Sequence, residues 1–112
     1  MKKEMEKTTV LIWKSDTRTC MKIICQPGWK WTECIGPNMP GNPPACPGHH
    51  FGFLESGTFK ITHSGVETLV TAGQCYECKP GHTAEVVGDE TVVMVEFSQQ
   101  VEAVVKDIKE SK

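Results

Sequence analysis

The second half of the chain is interrupted too regularly to be helical. From His50 to Phe97, short runs of β-capable residues alternate with turns that each carry a glycine. The turns are Glu55-Ser56-Gly57, His63-Ser64-Gly65, Thr71-Ala72-Gly73, Pro80-Gly81 and Gly88-Asp89-Glu90. Helices of ordinary length do not fit between such breaks, and strands do. The spacing predicts strands over 50–54, 58–62, 66–70, 75–78, 83–87 and 91–97. Two earlier apolar, β-branched runs, 9–13 and 20–25, predict two more. Short strands at even intervals point to an all-β chain, a barrel or jelly roll.

Three segments fall outside this rhythm. Residues 35–48 contain Pro37, Pro40, Pro43, Pro44 and Pro47 with Gly36, Gly41 and Gly48. Each proline removes a backbone donor and each glycine loosens the chain, so this stretch predicts a long loop. The mixed-sign start, residues 1–8, reads as a solvated, flexible tail. In 98–112 the apolar residues Val101, Val104, Val105 and Ile108 fall at i, i+3, i+4 and i+7, which predicts an amphipathic helix. The domain reading is thus a tail over 1–8, a barrel over 9–97 and a C-terminal helix over 98–112.

With 112 residues the chain makes one domain with one modest core. Its formal charge of −2, with no basic block interleaved with aromatics, argues against nucleic acid and anionic membrane as partners. No apolar stretch reaches membrane-span length, and Val10-Leu11-Ile12-Trp13 is too short for a secretion signal, so the expected location is cytoplasmic. In that setting the six cysteines are expected as reduced thiols, some of them metal ligands, and not as a disulfide framework. Cys75-x-x-Cys78 lies in a predicted strand, where residues three apart face opposite sides, so the two read as unrelated thiols.

The stretch Gly73-Gln74-Cys75-Tyr76-Glu77-Cys78-Lys79-Pro80-Gly81-His82 resembles the second sequence motif of the cupins, and Gly57 resembles the glycine that closes the first. Pro27-Gly28-Trp29-Lys30-Trp31, Cys46 followed by His50-Phe51-Gly52-Phe53, and Val87-Gly88-Asp89-Glu90 are similar to marks of a group of small single-domain cupins. The resemblance spans roughly residues 25–97. It implies a cupin-type jelly-roll β-barrel with a short C-terminal helix, and pairing into a homodimer through sheet edges. Metal-binding cupins usually offer His-x-His, a later Glu, and a further His after the Pro-x-Gly. At those places this chain has Pro44, Cys46, His50 and Ala84, so the family's usual metal set does not carry over.

Strand parity offers a different set. His82 lies two residues before Ala84 and shares its face, and Cys46 lies four before His50. Cys46, His50 and His82 therefore converge in the interior if both segments are extended, with Cys78 as a further candidate. A thiolate with two imidazoles suits a divalent transition metal such as zinc, iron or copper. The plainer reading has two hydrogen-bonded imidazoles in a cavity, with Cys46 as a small buried apolar group. Trp31, Tyr76 and Cys78 are candidates for a ligand pocket around the site, and Trp29 shares the face of Trp31. His49 and His63 read as surface residues, and Glu55, Glu77 and Glu85 as a solvated strand face.

The function that follows is binding of a small molecule inside the barrel, through a metal held by His and Cys. The alternatives are a metal-dependent enzyme of isomerase or dioxygenase type, and a metal-free structural dimer. Fold does not choose among them.

Overall fold

The computed structural model describes residues 1–97 and Ile108. The described chain is mostly β. Nine strands, β1 (Lys2–Met5), β2 (Thr8–Lys14), β3 (Thr19–Cys25), β4 (His50–Ser56), β5 (Thr58–His63), β6 (Val66–Thr71), β7 (Cys75–Cys78), β8 (His82–Val86) and β9 (Val92–Glu96), accompany one short helix, α1 (Trp31–Cys34). A single 3-10 turn, Gly36–Asn38, follows α1. None of these helices is long and apolar enough to cross a membrane.

The strands form two antiparallel sheets. One has the order β1-β2-β3-β9-β4-β7 and the other β6-β5-β8. Alternation explains the layering. In β2, β3 and β9 every second residue is buried, and Val10, Ile12, Met21, Ile23, Val92 and Met94 supply one wall of the core. Phe59, Ile61, Ala84 and Val86 supply the facing wall from β5 and β8.

The two sheets are not closed into a continuous barrel by strand pairing. At one of the sheet edges, the outer edge of β8, the neighbour is a pair of isolated bridges, Lys30 to Glu85 and Cys46 to His82, in place of a strand. The reason lies in the proline-rich segment. Between Pro44 and Pro47 few backbone donors remain, so the segment makes one two-way contact: Cys46 N–H donates to His82 C=O at 2.8 Å, and Gly81 N–H donates to Cys46 C=O at 2.8 Å.

Two glycines are required by close approach. A side chain at Gly52 would place its Cβ 2.0 Å from the Val95 carbonyl, because β4 presses onto β9 there. Gly57 has φ +84°, and a Cβ on it would lie 2.7 Å from Val92 Cγ2. It is the point where the chain leaves β4 in one sheet and enters β5 in the other.

Two expectations are corrected. Residues 2–5 are not a loose tail: β1 pairs with β2 in the register Lys2 to Leu11 through Met5 to Thr8, and Met5 is buried. The mixed charges that read as a solvated tail belong to an edge strand, where charged side chains are ordinary. Helix is also present outside the C-terminal region, as α1. Backbone bonds from Cys34 to Lys30 and from Ile35 to Trp31 close its turns, and its residues Trp31 and Cys34 turn into the core. The helix expected over 98–112 lies outside the described residues except for Ile108, which is buried against the core.

Candidate metal centre

Three elements bring the candidate ligands together. His50 opens β4, His82 opens β8, and Cys46 is held against β8 by the bridge to His82. One potential ligand atom from each of Cys46, His50 and His82 lies within 4.8 Å of the others. The bridge answers the question the sequence left open, whether the proline-rich loop bends Cys46 away from the interior.

Both imidazoles are aimed by hydrogen bonds on their far nitrogens. His50 Nδ1 lies 2.8 Å from Glu96 Oε1, and His82 Nδ1 lies 2.8 Å from the Lys79 carbonyl. Because these partners accept, each Nδ1 carries the proton in the neutral ring and each Nε2 keeps its lone pair. His50 Nε2 lies 3.4 Å from Cys46 Sγ. The two rings meet edge to face, with centroids 4.9 Å apart. The Gly48 N–H also points at Cys46 Sγ, at 3.4 Å.

Glu96 is the residue the sequence reading missed. Its side chain is almost wholly buried, at 1% exposure, and Tyr76 Oη donates to Glu96 Oε2 while Oε1 holds His50. A signal was present. On β9, Val92, Met94 and Glu96 share the inward face, and a carboxylate in that register demands a partner.

Electrostatics separates the two nearby thiols. Burial acts to raise the Cys46 thiol, but hydrogen bonds from His50 and His82 outweigh it and bring the pKa down to about 6. Burial acts to lower His50, yet the adjoining Glu96 carboxylate and Cys46 raise it to about 10. Cys78 is pushed up well above its ordinary value, first by burial and then by Glu96 and Cys46. Tyr76 is pushed up too, by burial and then by Glu96. Cys46 is thus a ready thiolate, while Cys78 stays a neutral thiol.

These groups border an interior cavity of about 70 Å³. Trp31, Tyr76 and Cys78 all line it, as do Trp29, Ala84 and Ile108. Trp29 is anchored there by its indole N–H, which donates to Thr8 Oγ1 at 2.7 Å. Cys78 faces the cavity but stands outside the three-atom cluster. His49 instead pairs with Glu77 at 2.6 Å on the exposed face, and His63 contacts the Pro80 carbonyl. Cys75 is exposed and Cys78 buried, as residues three apart on a strand must be. All six cysteines are free thiols.

The donor set fits a transition metal. Zinc binds thiolate sulfur at about 2.3 Å and imidazole nitrogen at about 2.0–2.1 Å. Sulfur and nitrogen around one tetrahedral ion are then about 3.6 Å apart, close to the observed Cys46 to His50 separation.

No family profile and no curated protein sequence matches this chain. Solved structures do. A cupin-like protein from Thermotoga maritima is 18% identical with a TM-score of 0.56, over 85% of this chain and 70% of that one. The Cupin_2 domain of an XRE family transcriptional regulator from Enterobacter cloacae is 13% identical with a TM-score of 0.58, over 81% and 94%. An oxalate decarboxylase variant from Bacillus subtilis is 22% identical with a TM-score of 0.62, over 89% of this chain but 28% of that one. At these identities the likeness is one of fold.

Proposed function

We propose that this chain, a small domain of cupin fold, holds a divalent transition metal through Cys46, His50 and His82 and presents it to a small molecule in the interior cavity. The observation that carries this reading is the meeting of the three ligand atoms within 4.8 Å at the wall of a mostly apolar cavity. Three protein donors leave a coordination position open, the arrangement of sites that bind or transform a ligand. Zinc, iron and copper all suit the mixed sulfur and nitrogen set. When bound, the metal supplies a Lewis acid at the cavity wall. The chain's own residues do the rest. Glu96 and Tyr76 hold His50 in its ligating tautomer, the Lys79 carbonyl does the same for His82, and Trp29 and Trp31 exclude water. A cavity of about 70 Å³ restricts the ligand to a few heavy atoms.

The test is elemental analysis of full-length protein purified without an affinity tag or added metal. The reading expects close to one equivalent of one transition metal, and its loss in the Cys46→Ala, His50→Ala and His82→Ala variants. Metal below a tenth of an equivalent, with none taken up on titration with zinc, iron(II) or copper, would overturn it.

A second reading rests on one specific observation, the line Cys46 Sγ, His50 Nε2, His50 Nδ1, Glu96 Oε1. This is the order of nucleophile, base and orienting acid in covalent catalysis. It predicts that iodoacetamide labels Cys46 ahead of the exposed Cys75 in metal-free protein, and that His50→Ala abolishes the preference.

A further inference from the structure

Cys78 is a buried nucleophile for which the metal reading has no use. It shares the interior cavity with Cys46, whereas Cys25 and Cys34 are buried without lining it and Cys75 is exposed. One histidine stands between the pair. Cys78 lies opposite His50 in the β4–β7 register. Residues directly opposite on antiparallel strands put their side chains on one face, with Cβ atoms about 4.5–5.5 Å apart. On its other side, His50 Nε2 lies 3.4 Å from Cys46 Sγ. The backbone brings the two cysteines together a second way, since Cys46 is hydrogen-bonded to Gly81 and His82, just past the end of β7.

The surroundings of Cys46 suit attack on a small electrophile. His50 Nε2 keeps its lone pair and receives the thiol proton, and the Gly48 N–H then faces the sulfur anion at 3.4 Å. A cavity of about 70 Å³ admits a few heavy atoms. A hydroperoxide is an electrophile of that size, and its product on one thiolate, a sulfenic acid, condenses with a second thiol nearby. Closing a disulfide brings the sulfurs to about 2.05 Å. Cys46 supplies the movement, because its backbone is held by two hydrogen bonds to β8 and the turn before it, while Cys78 is fixed in the β4–β7 ladder.

We infer that the metal-free chain reduces hydrogen peroxide, with Cys46 as the attacking sulfur and Cys78 as the thiol that resolves it. His50 Nε2 takes the Cys46 thiol proton. The sulfur attacks one peroxide oxygen, the O–O bond breaks, and the departing hydroxide takes that proton from His50 and leaves as water. Cys46 is then a sulfenic acid. The Cys78 sulfur attacks the Cys46 sulfur, the S–S bond forms as the S–O bond breaks, and the leaving hydroxide takes the Cys78 proton as a second water. The two thiols lose two electrons in all, and one peroxide gains them. A dithiol reductant returns the disulfide to the starting thiols. No step uses a metal, so elemental analysis that finds none leaves the inference standing.

One equivalent of hydrogen peroxide, added to reduced full-length protein stripped of metal with a chelator, tests it. The expected result is the loss of two of the six free thiols, with a Cys46–Cys78 disulfide found by peptide mass spectrometry and reversed by dithiothreitol. In Cys78→Ser the sulfenic acid persists on Cys46 and is trapped by dimedone, which leaves the unaltered protein unlabelled. His50→Ala slows the oxidation by about 100-fold. The disulfide map of the unaltered protein needs no variant, so the test stays sound if a variant fails to fold. Peroxide that leaves Cys46 and Cys78 as thiols overturns the inference. So does oxidation of the exposed Cys75 ahead of Cys46, or equal dimedone labelling of Cys46 in the unaltered protein and in Cys78→Ser.

Discussion

His50 Nδ1 sits 2.8 Å from the carboxylate of Glu96, and that contact decides which nitrogen of His50 faces Cys46. Glu96 is itself fixed from the other side by the Tyr76 hydroxyl. Outer partners of this kind typically change metal affinity by about 10–100-fold when removed. Glu96→Gln is therefore expected to weaken zinc binding by about that factor, and Tyr76→Phe by less. Competition titration against a chelator measures both. Unchanged affinity in Glu96→Gln would mean that the carboxylate does not set the tautomer.

The four histidines divide into two interior and two surface residues. His50→Ala and His82→Ala are expected to abolish zinc uptake, and His49→Ala and His63→Ala to leave it intact. Calorimetric titration of each metal-free variant reads this directly. Uptake that survives His82→Ala would place the metal elsewhere.

The Cys46–His50 pair gives the metal-free protein a distinctive stability profile. Cys46 is lowered from 9.0 to about 6, so its contribution is full above pH 9 and is lost as pH falls through about 6. His50 is raised from 6.5 to about 10, so its contribution is full below pH 6.5 and is lost as pH rises through about 10. Between 6.5 and 9 the two trends cancel, since folded and unfolded chains then bind the same number of protons at the pair. Relative to a Cys46→Ala, His50→Ala double variant, this pair should add a plateau over that range with a decline on either side. In Cys46→Ala only the His50 trend remains, and stability should fall with pH across the same interval. Urea denaturation at a series of pH values distinguishes the two shapes, and parallel profiles for the single variant and wild type would contradict the pairing.

Close packing of β4 on β9 makes a separate prediction. Gly52→Ala forces a Cβ to within 2.0 Å of the Val95 carbonyl and is expected to cost about 3 kcal/mol. Gly73→Ala meets nothing within 4 Å and faces only its φ of +91°, a cost of about 1–2 kcal/mol. Equal midpoints for the two variants in denaturant would show that β4 moves freely away from β9.

Much of this architecture is legible in the sequence because strand periodicity is a local signal. Glycine turns bounded β4 to β9 closely, and parity placed His50 and His82 on the inward face. Features that depend on distant partners were not legible. Lys2-Lys3-Glu4-Met5 has the composition of a tail and becomes a strand only because β2 offers it an edge. Trp31 begins a helical turn, and its indole packs against Gly36, a later residue where an added Cβ would meet the ring at 2.9 Å. Glu96 is not legible as a site residue because its partners, His50 and Tyr76, are 46 and 20 residues away in the chain.

The central claim is that one thiolate and two imidazoles of this chain share a metal. X-ray absorption spectroscopy of the zinc-loaded full-length protein measures that set directly. The account predicts a shell with one sulfur at about 2.3 Å and two imidazole nitrogens at about 2.0–2.1 Å. The sulfur should be lost in Cys46→Ser and retained in Cys78→Ser. A shell of nitrogen and oxygen alone in the unaltered protein, or a sulfur that persists in Cys46→Ser, would contradict it.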